Sequence, residues 1–150
     1  MMTRGQNQHR SRHLPAGNRR GAAAVEMAVV LPIFIMALLG IIELSRGIMI
    51  TQLLENAARE GARMSILDGT TNSQVQTSAQ TFMQNAAHIS PSNVTVTINI
   101  NGSNGASLAN AKQGDLVTVT VSVAFSNVSW LPPNYLKGAT LSALAAMRHE

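Results

Sequence analysis

The chain has 150 residues, of which 45% are hydrophobic and only 12% charged. That is about half the ~25% charge of an ordinary soluble protein, which excludes a charge-rich disordered tail or a solvated coiled coil. Aromatic residues at 3% are too few for a base-stacking platform, and the absence of cysteine excludes a disulfide framework, a thiolate metal site and a cysteine nucleophile. The net charge of +4 is uneven: Arg4, Arg10, Arg12, Arg19 and Arg20, five of the eleven basic residues, lie in the first 20 positions without an acid among them. A nucleic-acid binder spreads such charge over a folded face, so no nucleic-acid partner is expected.

Residues 1–21, with Gly5, Pro15, Gly17 and Gly21 and no apolar periodicity, read as a basic arm without regular structure. AAAVEMAVVLPIFIMALLGII follows at 22–42, broken by one charge, Glu26. A helix needs about 20 largely apolar residues to cross the hydrocarbon, so this segment predicts a single transmembrane helix with Glu26 near one interface. A buried helix of a soluble domain is the rival reading. The preceding arginines favour the membrane, and by the positive-inside rule they keep the arm in the cytoplasm and send the remainder across. A secretory signal fits less well, because the apolar core exceeds about 15 residues and no good small-residue cleavage site follows. Within the span, Glu26 either reaches back toward Arg19 and Arg20 at the headgroups or meets a cationic partner in the membrane. Pro32 removes a helix hydrogen bond to the Ala28 carbonyl and predicts a kink or a soft point.

Arg19-Arg20-Gly21, then AAAVE and a long apolar run, resemble a type IV prepilin processing site. More narrowly, RRGAAAVEMAVVLPIFIMALLGIIELSRG followed by LLENAAREGAR is similar to the TadE-like pseudopilins of the tight-adherence (Tad) pilus machinery. Leu31-Pro32, Glu43 and Ala57-Ala58-Arg59-Glu60-Gly61-Ala62-Arg63 carry the likeness, which covers residues 19–66. Met27 stands where pilin-type sites usually carry an aromatic residue. The resemblance implies that a membrane prepilin peptidase cuts between Gly21 and Ala22, leaving Glu26 fifth in the mature chain. The new amine at Ala22, commonly N-methylated in that family, would supply the cationic partner for Glu26, with Glu26 setting the register between neighbouring subunits. It further implies a minor pilin of the bacterial inner membrane, single-pass, with a cytoplasmic N-terminus and a periplasmic head. Its partners would be the major pilin, other minor pilins and the pilus assembly platform. An uncleaved, single-span anchored binding module is the alternative.

Residues 43–66 continue as an amphipathic helix. Leu44, Ile48, Leu54, Ala58 and Ala62 fall at helical spacing, widened by Ile50, Leu53 and Ala57. Glu43–Arg46, Glu55–Arg59 and Glu60–Arg63 are candidate intrahelical ion pairs, and Gly47 and Gly61 are soft spots. From Ala22 to Ile66 the helix would measure about 68 Å at ~1.5 Å per residue. Only half of that fits in lipid, so the remaining stripe is expected to pack on the C-terminal domain.

The head, residues 67–150, begins with a polar turn at Thr70–Ser73. A helix over 74–88 follows, with Val75, Ala79, Phe82, Met83 and Ala86 inward. Alternation predicts strands at 94–100 and 117–125, joined by a long loop over 101–115, with a second loop at Trp130–Pro133. The tail 140–148 has helix-forming composition, but its place after two strands, and the resemblance, favour a third strand. The class is α+β and pilin-like: a long N-terminal transmembrane and amphipathic helix carrying a small antiparallel-sheet head. The head's ionisable groups, among them His88, Asp115 and His149, show no metal-ligand spacing, glycine loop or nucleophile elbow. No catalytic residue, metal or cofactor is expected, and the chain reads as a substrate and building block, not an enzyme.

Overall fold

The computed structural model describes residues 18–130 and 138–149, with side chains from Gly21 onward. The arm through Gly17, the Leu131–Pro133 part of the second loop and Glu150 lie outside the described residues. The chain falls into two compact units, one ending at Leu38 and the other beginning at Leu39.

The first helix, α1, runs over Asn18–Ser65 and passes through Pro32 as one element. It begins earlier than Ala22. Nothing between Gly17 and Ala22 forbids a helix, and an isolated glycine such as Gly21 costs only about 1 kcal/mol. Every residue from Gly21 to Leu38 is exposed. This is the one helix among the described residues long and apolar enough to cross a membrane.

In the second unit α1 turns one seam inward. Glu43, Gly47, Ile50, Leu54, Ala57 and Gly61 are buried, at alternating spacings of four and three that hold one helix face toward a partner layer. Leu44 and Ile48, expected inside, are 58% and 54% exposed. Each follows the buried member of the seam by one residue, which rotates it about 100° away from the core. The stripe is otherwise as the periodicity predicts, and it packs within the same chain.

Helix α2 spans Asn72–Ala87, two residues longer at its start than expected. Thr71 caps it: its side chain accepts from the Gln74 backbone N–H while the Gln74 side chain accepts from the Thr71 N–H, a capping box that satisfies two otherwise orphaned donors. Val75, Ala79, Met83 and Ala87 face inward. Ala86, expected there, is exposed, and Phe82 is half-buried.

The sheet contains β1 (Val94–Ile100), β2 (Ser103–Asn104), β3 (Leu116–Ala124) and β4 (Thr140–Arg148). All pairings are antiparallel, in the order β2-β1-β3-β4. The tail is therefore a strand. Its Leu141, Ala143, Ala145 and Met147 stand opposite Val123, Val121, Val119 and Val117 of β3. Together with Val94, Val96, Ile98 and Ile100 these form the inner wall of the core. The opposite face is mostly Thr, Ser and Asn, the alternation expected of a sheet covered on one side. Beyond β3, Phe125 opens a short 3-10 turn, Phe125–Asn127, and is fully buried. The structure is thus α+β, with a long apolar N-terminal helix and a small four-stranded antiparallel sheet.

Candidate functional site

The sequence-predicted site residues all lie on α1. Gly21 and Ala22 sit within its first turns, and Glu26 and Pro32 follow among exposed Val25, Met27, Val29, Val30 and Leu31. Arg19 and Arg20 are in the same helix by backbone. Ala22 and Glu26, four apart, share a helix face, with Cβ atoms roughly 5–6 Å from one another. Glu26 has no ion-pair partner among the described side chains. The first turn contains no acid, so nothing there offsets the positive end of the helix dipole. Its leading N–H groups have no intrahelical acceptor, so this turn opens more easily than the rest of the helix.

A second cluster surrounds the point where the apolar run ends at Ile42. Glu43 is only 3% exposed, and its carboxylate accepts a hydrogen bond from the Ser129 hydroxyl. The expected Glu43–Arg46 pair does not form. The Arg46 Nε donates to the Val128 carbonyl at 3.2 Å, and the guanidinium lies 4.4 Å from the centre of the Trp130 ring. Burying Glu43 demanded a donor, and the nearby segment after β3 supplies one. That same segment draws Arg46 onto its carbonyl and indole. The other two expected pairs do form, Arg59–Glu55 at 3.3 Å and Arg63–Glu60 at 3.0 Å. The hydrogen bond to Glu60, then its charge, holds the Arg63 guanidinium above its ordinary value. Beside Arg46 and Trp130 opens a cleft of about 280 Å³, lined also by Met49, His88 and Asn127.

In the head, Asp115 is tied into a loop knot. Asp115 accepts from the Asn101 side-chain amide and from the Lys112 N–H, each at 2.8 Å. Asn101, at φ 50°, in turn accepts from the Leu116 N–H at 2.9 Å. The Lys112 bond, and next the Asn101 bond, hold the Asp115 carboxyl below its ordinary value. The His149 backbone closes the knot, donating to the Asp115 carbonyl and accepting from the Gly114 N–H. His88 stands apart as the left-handed C-cap of α2. Among the described residues no three His, Cys, Asp or Glu side chains gather closely enough to hold a metal.

Sequence reasoning missed the packing role of the glycines. A Cβ built on Gly61 would lie 3.1 Å from Val119 Cγ1 and 3.4 Å from Val75 Cγ1, and one on Gly47 would lie 3.2 Å from Phe125. The available signal was that both glycines fall on the buried seam with Ile50, Leu54 and Ala57. The Arg46–Trp130 stack carried no local signal, because its partners lie on different elements.

Residues 21–63 match the model of a family described as TadE-like protein. The match begins at Gly21, covers the apolar run and most of the buried seam, and stops before α2 and the sheet. No curated protein matches the chain, and no solved structure does so.

Proposed function

We propose, from the premise that this chain is a TadE-like protein, that it is a minor pilin or pseudopilin of a Tad-type adhesion pilus. A prepilin peptidase trims it after Gly21, and the mature chain is a structural subunit. The observation that carries this reading is the exposed apolar stretch of α1 that begins at Ala22, interrupted only by Glu26 and preceded by Arg19-Arg20-Gly21. The exposed run has no stable place in water, so it requires lipid before assembly and neighbouring helices after it.

The chemistry of the cut belongs to the peptidase. For its active site to reach the Gly21–Ala22 bond, the first turn of α1 must open into extended backbone. Glycine eases this, since it has no side chain and is a poor helix former. Cleavage then frees an amine at Ala22 within reach of Glu26 of the same or a neighbouring subunit. Such a pair loses hydration in low dielectric, so it contributes register more than raw stability. Pro32 gives the packed helix a soft point one turn beyond Ala28. The supporting partners are the inner membrane, the peptidase, the major and other minor pilins and the assembly platform.

The test is the mature N-terminus by intact mass, with and without the peptidase. Cleaved chain should begin at Ala22. A chain that stays whole beside an active peptidase supports an uncleaved anchored module instead. Glu26→Ala should leave the cut largely intact and abolish co-assembly with other pilins, and normal incorporation of that variant would refute the register role.

A further inference from the structure

We propose that the collar formed by Arg46, Trp130 and the cleft beside them docks the head onto the phospholipid headgroup layer. This rests on the membrane-span reading of residues 22–42 and not on cleavage. The last apolar turn, Leu39–Ile42, belongs to the same compact unit as the collar, so its position along α1 is set by helix rise alone. Arg46 is four residues past Ile42, about 6 Å at ~1.5 Å per residue. The headgroup region on each side of the ~30 Å hydrocarbon is about 5–8 Å thick. With Ile42 at the hydrocarbon edge, Arg46 therefore falls at the depth of the phosphates.

The side chains present at that depth have the chemistry of an interfacial surface. Trp130 is the chain's one tryptophan and is 72% exposed. An indole is favoured at the headgroup level because its body is apolar and its N–H needs a polar partner. Arg46 spends one donor on Val128 and its face on the indole. Among the described residues it has no carboxylate within ion-pair distance, which leaves donors for phosphate oxygens. Glu43, the nearest acid along the helix, is buried and held by Ser129, so it presents little surface to an approaching anion. His88 and Asn127 of the cleft lining offer further donors, and the lining contains no carboxylate. Leu44, two residues past Ile42 and so about 3 Å from the hydrocarbon edge, is exposed, at a depth where an apolar side chain can sink among the upper acyl carbons. A water-facing role leaves this apolar surface and an exposed tryptophan unexplained; a headgroup layer accommodates both together with the arginine.

The single tryptophan provides the measurement. The full-length chain is reconstituted into phosphatidylcholine–phosphatidylglycerol vesicles, and Trp130 emission is quenched by lipids carrying a spin label at the headgroup or deep in the acyl chain. Headgroup label should quench at least twofold more than deep label, and aqueous iodide should quench at least twofold less than it quenches free tryptophan. Arg46→Gln should reduce the headgroup-label quenching, Arg46→Lys should retain most of it, and the wild-type profile is informative by itself if a variant fails to fold. Iodide quenching equal to that of free tryptophan, with no dependence on label position, overturns the proposal. If the chain nevertheless floats with the vesicles, the span reading survives and only the docking surface fails. Protection of Trp130 in lipid-free detergent by inorganic phosphate alone would indicate a free-anion site, and protection that grows with protein concentration would indicate a second copy; either result overturns lipid docking.

Discussion

At the scale of single residues, three side-chain positions bear more than their sequence contexts announce. Gly61 looked like a weak point in a helix, yet it is where Val119 and Val75 come closest to the α1 backbone. Gly61→Ala should therefore lose the roughly 1 kcal/mol that alanine normally adds to a helix, because both neighbours are stiff at χ1 and fully buried. Gly61→Val should destabilise by about 1–3 kcal/mol through overpacking, measured by chemical denaturation of the full chain in detergent. Ser129 donates to buried Glu43, and Ser129→Ala should cost about 1–3 kcal/mol by leaving that carboxylate short of a donor. Asp115 is an acid-sensitive group of the head. Its folded-state value is depressed, so the stability it contributes is present above its ordinary value and is lost as the pH falls through the lower folded value. Asp115→Asn should lower the Tm at neutral pH and flatten the acid limb of a Tm-against-pH curve. The surroundings of Glu43 show why residue-level reading fell short. The Glu43–Arg46 spacing suited a local pair, but the groups that won each side chain stand on the segment after β3. Only the tertiary fold brings that segment near.

At the scale of elements, most of the fold was legible because its periodicities are plain. The alternation of Val94–Ile100 and of Val117–Val123 announced β1 and β3, and the apolar run announced α1. Where the reading slipped, a different physical determinant acted. Thr70–Ser73 looked like a polar turn because its residues favour turns, but Thr71 and Gln74 form a capping box that starts α2 at Asn72. Thr71→Ala should destabilise the head by about 1 kcal/mol, with the loss showing first as faster amide exchange across Asn72–Val75. Strand β4 was ambiguous because Ala, Leu and Met favour helices, and its pairing with all nine residues of β3 overrides that preference. The one-position errors at Leu44, Ile48 and Ala86 share a cause. A stripe of apolar residues wider than the packed seam does not say which edge of it faces the core.

At the scale of the molecule, the decisive asymmetry is where the charge lies relative to the apolar run. Five arginines precede it within 20 positions, while Arg46, Arg59 and Arg63 follow it within about the same distance. Basic residues close to a span resist translocation, and carboxylates hardly alter that count. On that count the orientation proposed for this chain has the arm on the cytoplasmic side and the sheet on the opposite one. Removing the arm's charge reverses the comparison without touching the folded head. With Arg4, Arg10, Arg12, Arg19 and Arg20 all changed to Gln, the three arginines beyond the span become the larger group, and a substantial share of molecules should insert with the head in the cytoplasm. The absence of cysteine makes this measurable with one added thiol. Ser103 lies on exposed β2, so Ser103→Cys in the native chain should react with a membrane-impermeant maleimide added to the periplasmic side, and in the arm-neutralised chain it should become protected. Protection of Ser103→Cys behind the native arm would place the head in the cytoplasm, where the proposed pilus assembly could not occur.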